Sequence, residues 1–179
     1  MSGRRIFPIA IVAIAVVAIA VVVLLSLDDD GDDTTAVPSA AAKLTTPAAL
    51  ASLAGQIGHP IYWVGERAGA ELELTKEADG NIYVRYLTGG AEAGDPGSEF
   101  LTVGTYPVGD AESAVKRAAR QAGAPVHDVP GGGIAFLSPE GRRSAYVAFP
   151  GSAEQIEVYD PVGGRSLELA EAGRVVPVG

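Results

Sequence analysis

A long apolar run near the N-terminus limits, more than any other feature, what this chain can fold into. Residues 6–27, which read IFPIAIVAIAVVAIAVVVLLSL, contain no charged side chain. As a helix the run would extend about 33 Å, enough to cross a hydrocarbon core of about 30 Å. In lipid a helix satisfies every backbone N–H and C=O group within the segment. The run therefore predicts a transmembrane helix over residues 6–27, with the lipid bilayer as its partner.

The charges that flank this run predict its orientation. Arg4 and Arg5 precede it, whereas the stretch that follows it, DDDGDD, is almost entirely acidic. Basic residues favour the cytoplasmic side, so residues 1–5 are predicted to form a cytoplasmic tail and the rest of the chain to lie outside. A tail this short has no room for a signalling domain. We thus expect a signal-anchored, single-pass protein of the cell membrane.

A cleaved signal peptide is the alternative interpretation. The apolar core of a signal peptide is normally about 7–15 residues long and is followed closely by small residues at the cleavage site. Here the run is longer, and SAAA at residues 39–42 lies well beyond it. The arginine pair loosely resembles a twin-arginine signal, but two arginines before a membrane segment are also the ordinary positive-inside feature. Whether the segment is cleaved stays open.

Charge and cysteine content narrow the classes of partner. The chain has 13 basic and 22 acidic residues and a net charge of −9, and all of the acidic residues follow the apolar run. An acidic external part argues against binding nucleic acid or anionic lipid headgroups. The chain has no cysteine. An external domain would therefore be held together by its core, without disulfide bonds.

The remaining chain divides into a linker and one domain. Residues 28–46 are acidic and then rich in Thr, Ala and Pro, with few large apolar residues. Such a segment buries too little surface to offset its conformational entropy, so it is predicted to be a flexible linker. Residues 47–179 have the size of one ordinary domain and are predicted to form the extracytoplasmic part.

Helix and strand signals alternate through the predicted domain. Thr46 followed by Pro47 predicts a helix start, and apolar residues at helical spacing continue to a stop at Gly58. Asp110 is predicted to cap a second helix, and Ser166 a short third one. Strands are predicted at 61–64, 70–76, 81–87, 100–106, 126–129, 134–137, 145–149, 155–159 and 175–178.

This order of elements predicts an α+β fold with a mainly antiparallel sheet and two or three helices packed on one face. A helix followed by four strands occurs twice, which suggests an internal α-β-β-β-β duplication. QIGHPI at 56–61 parallels QAGAPV at 121–126, and PVG occurs at 107–109 and again at 161–163. The other interpretation is that helix stops and strands look alike in any chain rich in Ala, Val and Gly. Both interpretations stay open.

Two acidic features are predicted to face solvent. In the strand at 70–76, Glu71 and Glu73 alternate with leucines, a pattern typical of a half-buried strand. Residues 88–99, TGGAEAGDPGSE, form a long Gly-rich loop whose role the sequence does not define. Its acidic residues lack the spacing of an EF-hand, so a solvated loop is favoured over a Ca²⁺ site. These residues are Glu92, Asp95 and Glu99.

Four short blocks carry a resemblance to a known group of proteins. They are HPIYW at 59–63, YVRYL at 83–87, TVGTYP at 102–107 and YVAFPG at 146–151. Together with the anchor they resemble uncharacterised single-pass membrane-anchored envelope proteins of high-GC Gram-positive bacteria, over most of the chain. The resemblance implies a place in a bacterial envelope, and it implies no activity or site.

Three motifs that could carry chemistry each have a simpler structural interpretation. Ser113 and Lys116 match the Ser-x-x-Lys pattern of penicillin-recognising enzymes, but the Ser-Asp-Asn and Lys-Thr-Gly motifs that accompany it are missing. The glycines at 131–133 precede a strand rather than a helix, which favours a turn over a phosphate loop. His59 and His127 are the only histidines, and a metal site needs three or four ligands. We therefore predict no catalytic residue, no cofactor and no metal.

An aromatic set provides the candidate binding surface. Tyr62, Trp63, Tyr83 and Tyr86 lie on predicted strands, and Trp and Tyr are enriched at interfaces. Strand aromatics also pack cores, which is the alternative. The sequence thus favours a membrane-tethered external domain that binds a protein or envelope component without catalysis. A small envelope hydrolase with an unrecognised active site and an accessory subunit of a membrane complex are the other functions considered. Ligand, partner and oligomeric state are not defined by the sequence.

Overall fold

The structure, a computed structural model, describes residues 41–179. The predicted cytoplasmic tail (1–5), the predicted transmembrane helix (6–27) and most of the predicted linker (28–46) lie outside the described residues. Within the described range, no helix is long and apolar enough to cross a membrane. The predicted domain at 47–179 is described in full.

The described chain folds into short strands and three helices, and it has the predicted α+β class with a mainly antiparallel sheet. In chain order the elements are β1 Lys43–Thr45, α1 Pro47–Ile57, β2 Tyr62–Trp63, β3 Glu71–Lys76, β4 Ile82–Leu87, β5 Thr102–Pro107, α2 Ala111–Ala122, β6 His127–Val129, β7 Gly133–Leu137, β8 Ser144–Ala148, β9 Glu154–Tyr159, α3 Arg165–Glu171 and β10 Val176–Pro177.

Eight of the strands form one antiparallel sheet in the order β1-β3-β4-β5-β9-β8-β7-β6. Within each half of the sheet, strands that follow one another in sequence lie side by side. The halves meet where β5 pairs with β9, with Val103 opposite Val158. β2 and β10 form a separate two-stranded ladder, with Tyr62 opposite Pro177. The centre of the sheet is therefore made by two strands that are far apart in the chain.

Helices cover both faces of the sheet. α1 and α3 pack on one face over a large core that includes Leu50, Val158 and Ala170. α2 packs on the other face, where Val115 belongs to a smaller cluster with Phe136. The prediction that all helices pack on one face is wrong. Strands β7 and β8 are buried along their whole lengths, so both of their faces need cover.

Local capping rules explain where two of the helices begin. Thr46 and Asp110 each accept a hydrogen bond from a backbone N–H of the first turn, as predicted for helix N-caps. The prediction that Ser166 caps α3 is wrong. The cap is Gly164, in a left-handed conformation (φ +87°), and Ser166 is buried inside the helix. The Gly164 N–H donates to the Arg142 carbonyl at 2.7 Å, so a contact from a distant turn fixes this helix start.

The C-terminal end of the predicted linker belongs to the sheet. Lys43–Thr45 form strand β1, with Lys43 opposite Leu74 and Thr45 opposite Leu72. The prediction of a flexible linker up to residue 46 is therefore wrong for these three residues. β3 would otherwise expose a row of unpaired backbone N–H and C=O groups, and β1 supplies their partners.

Candidate functional site

An open aromatic cleft with a volume of about 410 Å³ lies at one end of the sheet. Tyr62 and Phe149 stack beneath it, with ring centroids 5.6 Å apart and planes inclined by 11°. The residues that line the aromatic cleft are Gly58, His59, Pro60, Tyr62, Phe149, Pro150, Gly151, Ser152, Ala153 and Glu154. Ligand sites commonly combine such an apolar base with a few polar groups.

Two turns build the aromatic cleft. On one side α1 ends at Gly58, whose φ of +74° suits a residue without a Cβ atom, and the chain turns into β2. On the other side residues 149–153 join β8 to β9, with Gly151 at φ +72°. The Tyr62 N–H donates to Thr105 Oγ1 at 3.0 Å, which ties the first turn to the central strand β5. A rigid sheet thus holds both turns in place.

The glycines at 131–133 support the aromatic cleft from behind. Gly131 and Gly132 have φ values of +85° and +75°, which agrees with the predicted turn. A Cβ atom on Gly133 would lie 2.7 Å from the Phe149 ring and 2.8 Å from the Ala148 carbonyl oxygen. The absence of a side chain therefore lets the Phe149 ring pack against the backbone, from where it stacks on Tyr62.

The polar groups of the aromatic cleft are hydrogen-bonded among themselves. Ser152 Oγ donates to Glu154 Oε2 at 2.8 Å and accepts from the Glu154 N–H at 3.1 Å. His59 Nδ1 lies 3.2 Å from the Pro60 carbonyl oxygen. Glu154 is only 7 % exposed. No lysine, arginine or histidine of residues 41–179 lies within ion-pair distance of its carboxylate.

The environment of the aromatic cleft changes the acidity of Tyr62. Burial raises the pKa of the Tyr62 hydroxyl because the phenolate would lose its hydration. The nearby Ser152 side chain lowers this pKa, and the negative charge of Glu154 raises it. Tyr62 is therefore protonated at physiological pH.

The structure separates the four aromatic residues of the predicted binding surface. Tyr62 and Tyr86 lie in the large core, and the Tyr86 hydroxyl accepts a hydrogen bond from the Val64 N–H at 3.0 Å. Trp63 is partly exposed on the β2–β10 ladder. Tyr83 lies on the opposite face of the sheet. The four residues therefore do not form one surface, because residues an odd number of positions apart on β4 point to opposite faces.

A buried carboxylate on the α2 face of the sheet was missed by the sequence analysis. Glu157 is 3 % exposed and accepts hydrogen bonds from the hydroxyls of Tyr106 at 2.9 Å and Tyr146 at 3.4 Å. Burial raises the pKa of Glu157, and hydrogen bonds from Ser144, Tyr106 and Tyr146 oppose this effect. A Cβ atom on Gly104 would lie 2.5 Å from the Tyr106 hydroxyl oxygen. Gly104 of β5 lies opposite Glu157 of β9, and it is the sequence feature that could have indicated this site.

The long loop at 88–99 is tied to the sheet by a buried ion pair. Arg85 Nη1 lies 2.8 Å from Glu73 Oε1, and Arg85 Nη2 donates to the Gly97 carbonyl at 2.9 Å. The Gly94 N–H donates to Glu73 Oε2 at 2.6 Å. The prediction that Glu73 faces solvent is wrong, because the loop folds over this part of the sheet and excludes water from the carboxylate.

The acidic residues of the same loop are not arranged as a metal site. Glu92 and Glu99 are exposed, while Asp95 Oδ1 accepts a hydrogen bond from the Gly97 N–H at 2.7 Å. In the described part of the chain, no group of three or more His, Cys, Asp or Glu side chains is placed to hold a metal ion. The loop acts on the sheet through its backbone.

The remaining sequence motifs form ordinary surface contacts. Lys116 pairs with Glu112 on the exposed side of α2, and Ser113 is exposed beside them. His127 Nδ1 lies 3.0 Å from Glu171 Oε1, a contact between the edge strand β6 and α3. Neither arrangement is directed into the aromatic cleft.

Comparisons with known proteins add no relative. No family model, no curated protein and no solved structure matches the chain. The resemblance to bacterial envelope proteins stays a prediction, and the candidate site is defined by its geometry alone.

Proposed function

We propose that this chain is a membrane-tethered extracytoplasmic domain that binds a protein or envelope component at the aromatic cleft, without catalysis. The observation that carries the proposal is the cleft itself. It brings a stacked aromatic pair, two prolines and a buried carboxylate into one depression of about 410 Å³. Binding sites are typically concave, mainly apolar and provided with a few fixed polar groups.

The hydrogen bonds within the cleft support binding over hydrolysis. A serine nucleophile needs a base that takes its proton, as in a serine–histidine pair. Here the Ser152 hydroxyl donates to Glu154, and the His59 ring nitrogen Nδ1 is close to a backbone carbonyl. A hydrolase stays the alternative because all three side chains line the same cleft. An esterase activity of the purified chain that disappears in Ser152→Ala would favour that alternative.

Location and orientation complete the proposal. The apolar run at 6–27 would anchor the chain in the cell membrane as a single transmembrane helix with the N-terminus in the cytoplasm. Its length, its lack of charge and the arginines before it support this arrangement. The aromatic cleft would then face the extracytoplasmic space, where an envelope component is within reach.

We also propose that the sheet arose by internal duplication of a strand unit. The meanders β3-β4-β5 and β7-β8-β9 meet through their last strands, β5 and β9, which supports two related halves. The duplication would concern the strands, because α1 and α2 lie on opposite faces of the sheet.

Site-specific photo-crosslinking in intact cells tests the binding proposal. A photoreactive amino acid replaces Ala153, an exposed residue of the cleft, in the full chain. We expect a discrete adduct from this position. The matched control is the same replacement at Ala93, which is exposed in the loop at the opposite end of the sheet. Equal adducts from both positions, or none from Ala153, would contradict binding at the cleft.

A further inference from the structure

Glu154 differs from the other buried glutamates of residues 41–179 in its surroundings. Glu73 forms an ion pair with Arg85, and Glu157 accepts hydrogen bonds from two tyrosine hydroxyls. Glu154 is also buried, but it borders an open cleft, and the side chain that hydrogen-bonds to it is the neutral Ser152. The Ser152 hydroxyl offsets only part of the hydration that a buried carboxylate loses. Within residues 41–179, no lysine or arginine lines the aromatic cleft to balance its negative charge.

We propose that the aromatic cleft binds the ammonium or guanidinium group of a lysine or arginine side chain on a partner protein, with Glu154 as its counter-ion. This inference rests on the proposed function and names the chemistry of the partner. The cation would form a charge-assisted hydrogen bond with Glu154. The aliphatic stem of the same side chain would lie along Phe149 and the two prolines, Pro60 and Pro150.

The shape and charge of the domain favour a side chain of a partner protein over a free amine. The cleft is an open depression between two turns, so a small amine would leave much of its surface in water. A partner that presents the side chain adds contacts around the rim, which exclude water from the ion pair. Residues 47–179 contain 10 basic and 17 acidic residues, and this negative net charge also draws a basic partner toward the domain.

The test is a titration of the full chain in detergent micelles, followed by the backbone amide NMR signals of Gly151 and Ser152. The probe is a capped alanine–lysine–alanine tripeptide. Its control is the same tripeptide with norleucine in place of lysine, which keeps the stem and removes the charge. We expect saturable shifts at both amides with the lysine peptide, and affinity lower by about tenfold or more with the norleucine peptide.

Two variants separate the role of Glu154 from that of net charge. Glu154→Gln keeps an acceptor for Ser152 and should weaken binding of the lysine peptide by about tenfold or more. Glu140→Gln removes the same charge from the β7–β8 turn, at the far end of the sheet, and should leave the affinity within about twofold. If Glu154→Gln fails to fold, the comparison of the lysine and norleucine peptides on the unaltered chain still tests whether the cleft binds the positive charge.

Three results would overturn the inference. They are equal binding of the norleucine peptide, unchanged affinity in Glu154→Gln, and n-butylamine binding as tightly as the lysine peptide. The first two remove the counter-ion role, and the third removes the assignment to a partner's side chain. An adduct at Ala153 in intact cells together with any of these results would leave the proposed function standing. Absence of that adduct would count against the proposed function itself.

Discussion

At the scale of single residues, the main feature of this domain is the different treatment of three buried glutamates. Glu73 has an arginine, Glu157 has two tyrosines, and Glu154 has a serine at the edge of a cleft. These three sets of partners compensate the negative charge of the carboxylate to different degrees. The ion pair compensates it most fully, while neutral hydroxyls stabilise a carboxylate only in part. Glu157 is therefore the position where pH should act most directly on stability.

Glu157→Gln should remove most of this pH dependence. Burial raises the pKa of Glu157 in the folded state, so its contribution to stability is fully present below the ordinary carboxyl pKa and is lost as pH rises through the folded-state value. The amide never ionises. Its oxygen can accept from one of the two tyrosine hydroxyls, and its NH₂ group can donate to the oxygen of the other. We expect a higher melting temperature than wild type at pH 7 and a smaller difference at pH 4, measured by circular dichroism.

Glu140→Gln, an exposed position with the same change of charge, provides the comparison for this experiment. It should melt close to wild type at both pH values, because surface charges contribute little. A Glu157→Gln variant that is less stable than wild type at pH 7 would show that the charged form is the better stabilised one.

At the scale of secondary-structure elements, the 88–99 loop contains no strand or helix, but it is hydrogen-bonded to side chains of the sheet. Its backbone supplies one donor to Glu73 and two acceptors to Arg85, whose guanidinium also lies 5.0 Å from the centre of the Phe100 ring. The loop takes the position that a helix occupies on the other half of this face. Its order therefore depends on the ion pair beneath it.

Arg85→Met should destabilise the domain by about 3 kcal/mol, because it leaves Glu73 buried without its partner. Combining it with Glu73→Leu should recover most of that loss, since an apolar pair replaces a charged one. The double variant should still be cut faster by protease within 88–99, where the loop has lost its anchors. Urea denaturation and limited proteolysis of the full chain measure the two effects.

Arg120→Met, on the exposed side of α2, is the control for this series and should change stability by less than about 0.5 kcal/mol. If the double variant is as unstable as Arg85→Met and its loop resists protease like wild type, the ion pair does not hold the loop.

Capping and turn residues in the sequence predicted where helices begin and end. The features that were not predicted depend on contacts between segments far apart in the chain. The helix boundaries at Thr46, Gly58 and Asp110 follow from caps that involve only neighbouring residues. Burial of Glu73 depends on a loop more than ten residues downstream, and the aromatic cleft on two turns from opposite halves of the chain. The pattern of apolar residues within one segment does not show which distant segment will contact it. The sequence therefore predicted the fold class and the turns but not the candidate site.

At the scale of the whole molecule, the position of β1 decides where a membrane anchor would be attached to the domain. The described chain enters through β1, the outermost strand beside β3. Residues 28–42 could reach at most about 50 Å if fully extended. The aromatic cleft would thus work close to the membrane surface, on partners in the same membrane or in the adjoining envelope.

The absence of cysteine makes this topology directly testable. A single cysteine at Ser98→Cys, in the exposed loop, should react with a membrane-impermeant maleimide in intact cells. A cysteine at Ser2→Cys should react only after the membrane is permeabilised. Labelling of Ser2→Cys in intact cells would contradict the predicted orientation. Loss of that residue from the mature chain would show that the N-terminal segment is cleaved.

The pairing of β5 with β9 has a consequence for how the domain is made. During synthesis β3, β4 and β5 leave the ribosome well before β9. Until β9 is available, the backbone N–H and C=O groups on one edge of β5 have no strand to pair with. Contacts between distant segments form late and slowly, and an unpaired edge in the meantime can recruit another chain. Nascent copies are therefore most vulnerable to misassembly just before residues 154–159 emerge, and a chain truncated there should aggregate rather than remain half folded.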